Sequence, residues 1–76
     1  MKALSLFANV GVAEAYLASI GLNVVVANEL EDDRARFYHH LYPDCNMICG
    51  DITDTEVFEN IIKAADEEGI EFILAT

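Results

Sequence analysis

A short apolar strand that breaks into a turn of small residues and opens at once into a helix constrains this sequence most. The run is Leu4-Ser5-Leu6-Phe7-Ala8-Asn9-Val10-Gly11-Val12-Ala13-Glu14, and a second apolar run, Val24-Val25-Val26-Ala27, ends on Asn28-Glu29. Such an order is the layout of a nucleoside-binding βαβ unit. The turn lets a ligand approach the backbone, and the helix N-terminus offers N–H groups. The carboxylate after the second strand can accept hydrogen bonds from ribose hydroxyls.

The same alternation continues along the chain. Apolar periodicity predicts strands over 3–7, 24–27, 47–49 and 70–74, separated by three helices, with no linker, repeat or low-complexity stretch. Helix one, over 11–20, puts Val12, Tyr16 and Ile20 on one face with Ala13 and Leu17, and Gly21 can close it at positive φ. Helix two starts in Glu31-Asp32-Asp33, where acids suit a helix N-terminus, and ends before Pro43, with Phe37/Leu41 and Tyr38/Tyr42 as i,i+4 pairs. Helix three is expected to open on a capping box, Thr53-x-x-Glu56. Its apolar stripe is Val57, Phe58, Ile61, Ile62 and Ala65, and Gly69 ends it. The fold class is therefore α/β, a Rossmann-like parallel sheet with alternating helices and right-handed crossovers. Strands of such a sheet are buried on both faces, which accounts for the near-continuous apolar runs.

Seventy-six residues allow one small domain near the lower limit for a self-sufficient core. An apolar content of 54% is high for that length and leaves few polar residues to coat the surface. The chain is expected to be part of a larger domain, with one face covered by more protein. Its formal charge is −10, with Lys2, Arg34, Arg36 and Lys63 the only cations. Phosphate neutralisation needs Lys and Arg, so this segment alone is unsuited to nucleic acid, and any basic surface lies elsewhere. Cys45 and Cys49 make no disulfide framework, and Met1-Lys2 leads into a strand with no secretory h-region. No apolar run is long enough to cross a bilayer. A soluble, cytoplasmic chain without a membrane partner is expected.

Every turn singled out by its residues falls at the carboxyl end of a strand: Phe7–Gly11, Asn28-Glu29 and Gly50-Asp51-Ile52. Ligands of open α/β sheets bind at that edge. The first turn departs from G-x-G-x-x-G, because Asn9 and Val12 stand where small glycines often occur. A pyrophosphate needs close backbone approach, so this counts against NAD or FAD, and a ligand without phosphate tolerates the change better. Glu29 reads either as the ribose acceptor or as a solvated leader of helix two. Asp51 reads either as an acceptor for an amino group, beside the apolar Ile52, or as an ordinary turn residue. His39, His40, Cys45 and Cys49 match no zinc-finger spacing, and no metal site is expected. Cys49, in a strand expected to be buried, has no local activator as a nucleophile.

The string from Ser5 to Glu14 resembles the first motif of DNA (cytosine-5) methyltransferases, a strand ending in Phe-x-Gly-x-Gly that cradles S-adenosyl-L-methionine. Asn28-Glu29 resembles the second motif and Gly50-Asp51-Ile52 the third, in the same order and spacing over essentially the whole chain. The resemblance implies that Phe7 contacts the adenine, and that Ala8, Asn9, Val10 and Gly11 form the loop running to the methionine end. It implies that Glu29 holds the ribose hydroxyls and Leu30 packs on the adenine, where the family often has a larger side chain. Asp51 would accept from the adenine amino group and Ile52 would cover a ring face.

In that family the catalytic residue is the cysteine of a Pro-Cys pair in the loop after strand four, whose thiolate attacks C6 of a flipped cytosine and activates C5. This sequence stops at Phe72-Ile73-Leu74-Ala75-Thr76, where that loop is expected to begin. No catalytic residue is therefore assigned within it. The chain is expected to be the N-terminal cofactor-binding part of a methyltransferase domain, inactive alone. DNA would be bound through regions absent from it, and a second polypeptide or another copy would cover the open sheet edge. Two other readings are an NAD-binding oxidoreductase fragment and a non-catalytic interaction module.

Overall fold

A computed structural model describes residues 1–75. Strand and helix alternate from end to end: β1 (Lys2–Leu6), α1 (Val12–Ser19), β2 (Asn23–Glu29), α2 (Asp32–Leu41), β3 (Asn46–Cys49), α3 (Thr55–Glu68) and β4 (Phe72–Ala75). The strands form one parallel sheet in the order β3-β2-β1-β4. The chain thus steps outward from β1 to β3 and then returns to the other flank of β1. Right-handed crossovers put α1 and α2 on one face and α3 on the other. The expected α/β, Rossmann-like arrangement is the one adopted. Its reversal point lies beside β1, the place where open α/β sheets bind ligands.

Side chains sort onto the two faces with the period of a strand. Leu4 and Val26 pack with Ile61 and Ala64 of α3. Ala27 packs with Ala8, Cys45 and Tyr38 of α2 on the opposite face. Complete burial of Val26 and Ile61 contributes about 1.5–3 kcal/mol each. The register of β1 on β2 slips between Ala3, which faces Val24, and Leu4, which faces Val26. Val25 is the extra residue. Strict alternation would return Val26 to the side of Val24; the slip instead puts Val25 and Val26 together on the α3 side. At the end of α1, Gly21 adopts φ +85°, and the Leu22 N–H reaches the Leu17 carbonyl at 3.0 Å. This is the left-handed helix stop expected of a glycine there.

The structure corrects several expectations. Val12, Tyr16 and Ile20 do not face the sheet: they are 68%, 75% and 72% exposed. The inward side of α1 carries Glu14, which is buried, with Ala13 and Leu17 half-buried beside it. A helix resting on β2 needs only a narrow strip, and the small and polar residues form it. α3 is capped by Asp54, not Thr53; one Asp54 oxygen accepts the N–H groups of Glu56 and Val57 at 3.0 and 3.3 Å. The Thr53 hydroxyl is already committed to Asp51. Phe58 and Ile62 of the expected α3 stripe are exposed, and Ala64 takes the inward position. β4 begins two residues later than expected, with Ile70 packing against the core ahead of it. β3 is an outer strand, so its last residue, Cys49, is exposed and not buried. Thr76 lies outside the described residues. No helix among the described residues is long and apolar enough to cross a membrane.

Candidate functional site

Hydrogen bonds tie the ends of β1, β2 and β3 into one rim. The Ala8 N–H donates to the Asn28 carbonyl at 2.9 Å, and the Gly50 N–H donates to the Glu29 carbonyl at 3.0 Å. The buried Asn28 amide donates to the carbonyls of Ile48 and Gly50 at 2.9 and 3.0 Å. Asn28 is thereby a strut joining the second turn to the third, a role that leaves little of its side chain for a ligand.

Glu29 is the centre of the rim. It is only 5% exposed, and a carboxylate so buried needs partners. One oxygen accepts the Asn9 N–H and the other accepts the Glu31 N–H, both at 2.8 Å. The same side chain therefore fixes the β1–α1 loop and the entry to α2. A carboxylate has about four lone-pair sites, so two remain for another donor. Glu29 also lines a cleft of about 390 Å³ with Phe7, Asn9, Leu30, Glu31 and Arg34.

The loop between β1 and α1 carries the backbone strain of the molecule. Phe7 and Asn9 both sit at φ +56°, and Gly11 at +81°. Asparagine tolerates the left-handed region, so Asn9 keeps the turn without a glycine. For Phe7 the same conformation costs roughly 1–2 kcal/mol. Contacts on either side of it, from Ala8 to Asn28 and from Asn9 to Glu29, hold the loop in that shape. Gly11 has no substitute. A Cβ there would stand 2.5 Å from the Tyr42 ring, 2.9 Å from the Tyr38 ring and 2.9 Å from a Glu14 oxygen.

Of the residues singled out in the sequence, Phe7, Asn9, Glu29 and Leu30 meet around the cleft. Ala8 turns its side chain into the core with Ala27 and Tyr38, and Gly11 is buried, so both present backbone only. Val10 is half-buried between them. Asp51 is exposed, and one of its oxygens accepts both the N–H and the hydroxyl of Thr53, at 2.9 and 2.7 Å. Those bonds hold its carboxyl below the usual carboxylate range. Ile52 packs against the Leu4–Ile61 cluster. Reading the sequence missed Arg34 and Glu31 as lining residues. Their signal was position alone: the first turn of a helix that starts directly after Glu29-Leu30.

It also missed Glu14. Its carboxyl is buried in α1, where one oxygen accepts the Ser5 hydroxyl at 3.0 Å and the other has no hydrogen-bond partner among the described residues. Burial raises its pKa above the ordinary 4.5, and the Ser5 bond offsets only part of that. An acid with a raised folded pKa stabilises the fold fully below its unfolded value, and that contribution is lost as pH rises through the folded one. Urea midpoints measured from about pH 4.5 upward are expected to fall for the wild type relative to Glu14→Gln. Parallel curves would show that Glu14 is not the source.

Both cysteines are free thiols held above the ordinary cysteine range. Burial pushes the Cys45 thiol up to about 11. Cys49 is raised too, by desolvation and then by the charges of Asp32 and Glu29. His39 and His40 lie exposed late in α2. Among the described residues no group of three or more His, Cys, Asp or Glu is placed to hold a metal ion.

A buried carboxylate clamping a left-handed β1–α1 loop fits the motif order read from the sequence, and comparison with known proteins decides the family. The model of the C-5 cytosine-specific DNA methylase family matches residues 1–75. The chain belongs to that family. It is 37% identical over 73 residues to the Type II methyltransferase M1.HgaI of Avibacterium volantium, a match that covers 96% of this chain and 20% of that protein. The chain therefore spans about a fifth of the length of that relative. No solved structure matches it. The three strand-end turns singled out in the sequence are joined to one another through Ala8, Asn28 and Gly50.

Proposed function

We propose that this chain is the S-adenosyl-L-methionine-binding portion of a DNA (cytosine-5-)methyltransferase, the N-terminal part of its catalytic domain. The observation that carries the reading is the Glu29 carboxylate, held by two backbone N–H groups at the edge of a cleft lined by Phe7 and Leu30. Its remaining lone pairs suit the two hydroxyls of a ribose, and the flanking apolar side chains suit a base. Asp51 has one oxygen not engaged by Thr53, which suits the adenine amino group, whereas Ile52, packed on the Leu4–Ile61 cluster, shapes that edge from the core side. Asn9, Val10 and Gly11 line the way to the methionine end, and Ala8 contributes backbone. When bound, the cofactor supplies the methyl group; the residues here bind and orient it.

DNA contact belongs to polypeptide outside these residues, because a formal charge of −10 repels phosphate. The same polypeptide, a second chain or another copy covers the outward Val12, Tyr16 and Ile20 face. Such an enzyme works in the cytoplasm of its cell, beside its DNA. Calorimetry with S-adenosylhomocysteine and with NAD tests the reading. Binding of the first and not the second is expected, and binding of NAD instead would overturn it. The 76-residue chain alone is expected to transfer no labelled methyl group to cytosine, since it has no Pro-Cys loop to supply the thiolate. Transfer by the purified chain would refute that assignment.

A further inference from the structure

The β1–α1 loop is fastened from the front by Glu29, but a second fastening reaches it from behind. The Tyr42 hydroxyl, thirty-one residues away in sequence, donates to the Gly11 carbonyl at 2.8 Å. Tyr42 ends α2 and is itself fixed: its N–H donates to the Tyr38 carbonyl and its own carbonyl accepts the Cys45 N–H. Its ring lies 5.0 Å from that of Tyr38, and both rings border the space where a Gly11 side chain would be.

We infer that Tyr42 is a positioning residue for the cofactor loop, helping to hold the Gly11–Val12 peptide, where the loop passes into α1, against α2. The peptide group is planar and trans, so its carbonyl and its N–H point in opposite senses. With the Gly11 carbonyl drawn toward α2 by Tyr42, the Val12 N–H is turned away from α2. Val12 is the first residue of α1, and a helix does not use that N–H internally. As the N-cap carbonyl of α1, the Gly11 oxygen also closes the first helical turn, so losing the hydroxyl removes its one tie to α2 and loosens the plane at a glycine, the residue with least resistance to rotation. The loop then keeps its ties to Asn28 and Glu29 at the Ala8–Asn9 end but loses the one to Tyr42 at the Gly11 end, and part of the cost of ordering that end falls on the ligand.

The inference rests on the cofactor reading above, and its test separates the two. In the purified protein, Tyr42→Phe keeps the ring against Gly11 and removes only the hydroxyl. Tyr38→Phe makes the same change one turn earlier, where the hydroxyl meets the Cys45 sulfur and not the loop. Tyr42→Phe is expected to weaken S-adenosylhomocysteine binding roughly three- to tenfold, the range of one lost hydrogen bond, and Tyr38→Phe less than about twofold. The Gly11 carbonyl and Val12 amide resonances should move in Tyr42→Phe only, which a general loss of packing would not produce. Equal affinities for wild type and Tyr42→Phe, or equal losses in both variants, would overturn the role. If the wild type binds no S-adenosylhomocysteine, the cofactor reading fails, and the resonances decide alone: a shift confined to Tyr42→Phe keeps the positioning role, and no shift removes it.

Discussion

Gly11→Ala is expected to lose about 2–5 kcal/mol of folding stability, the sum of a left-handed backbone penalty and overpacking against rings that cannot retreat. The backbone share follows from φ +81°. The packing share follows from a Cβ placed 2.5 Å from the Tyr42 ring and 2.9 Å from both the Tyr38 ring and a Glu14 oxygen. Tyr38 is completely buried and Tyr42 is tied to the Gly11 carbonyl, so neither ring moves cheaply. For 76 residues at roughly 0.05–0.15 kcal/mol each, total stability is about 4–11 kcal/mol, and the substitution takes up much of it. Gly21→Ala is the internal control. Gly21 has nearly the same backbone, φ +85°, with nothing within 4 Å of its would-be Cβ. It should cost only about 1–2 kcal/mol. Urea denaturation of both variants measures the difference. Equal losses would show that the ring contacts at Gly11 carry no weight.

That contrast also marks where the sequence was readable. Gly21 and Gly11 look alike as letters, and the sequence identified the first correctly as a helix stop. What makes Gly11 irreplaceable comes from Tyr38 and Tyr42, and no local pattern announces a contact across α2. Strands and helices were legible because their apolar spacing is a local property of the chain. The parallel sheet followed from the alternation of strands and helices, but the strand order β3-β2-β1-β4 is a property of the fold that local spacing does not specify. Which face of α1 turns inward did not follow, because periodicity finds the most apolar stripe, and Val12, Tyr16 and Ile20 form it while pointing outward. The inward strip holds Glu14 instead, paired with Ser5 of β1, a buried polar contact that hydrophobicity cannot reveal.

The rim was legible for a different reason. Phe7, Asn9, Glu29 and Leu30 sit at strand ends, and parallel strands bring their carboxyl ends to one edge whatever the details of packing. The reach of that argument stops at side-chain direction. Asp51 occupies the expected edge yet spends one oxygen on Thr53, and Ile52 turns into the core. Asn9 illustrates the converse. Read as a departure from a glycine motif, it nonetheless adopts the left-handed turn at φ +56° and donates its N–H to Glu29. The backbone shape survived the change of residue.

Glu29→Ala should therefore damage the fold and the site together, and the two losses can be separated. Removing the carboxylate leaves the N–H groups of Asn9 and Glu31 without their acceptor. Each buried, unpaired donor costs roughly 1–3 kcal/mol, less where water enters in place of the side chain. Glu29→Gln retains one acceptor oxygen, so one of the two N–H groups keeps its partner while the other faces an amide NH₂. Stability should fall in the order wild type, Gln, Ala. Ligand affinity should follow a different order. Hydrogen bonds from ribose hydroxyls to a carboxylate are charge-assisted, about 1.5–3 kcal/mol each, so both variants are expected to bind S-adenosylhomocysteine at least about tenfold more weakly. Calorimetry on each variant, at a temperature where denaturation shows it folded, measures this directly. Unchanged affinity in a folded Gln variant would leave Glu29 as a clamp between the loop and α2 and remove it from ligand binding. A tenfold loss in the Gln variant, larger than its loss of stability can account for, would identify the same carboxylate as both clamp and ligand acceptor.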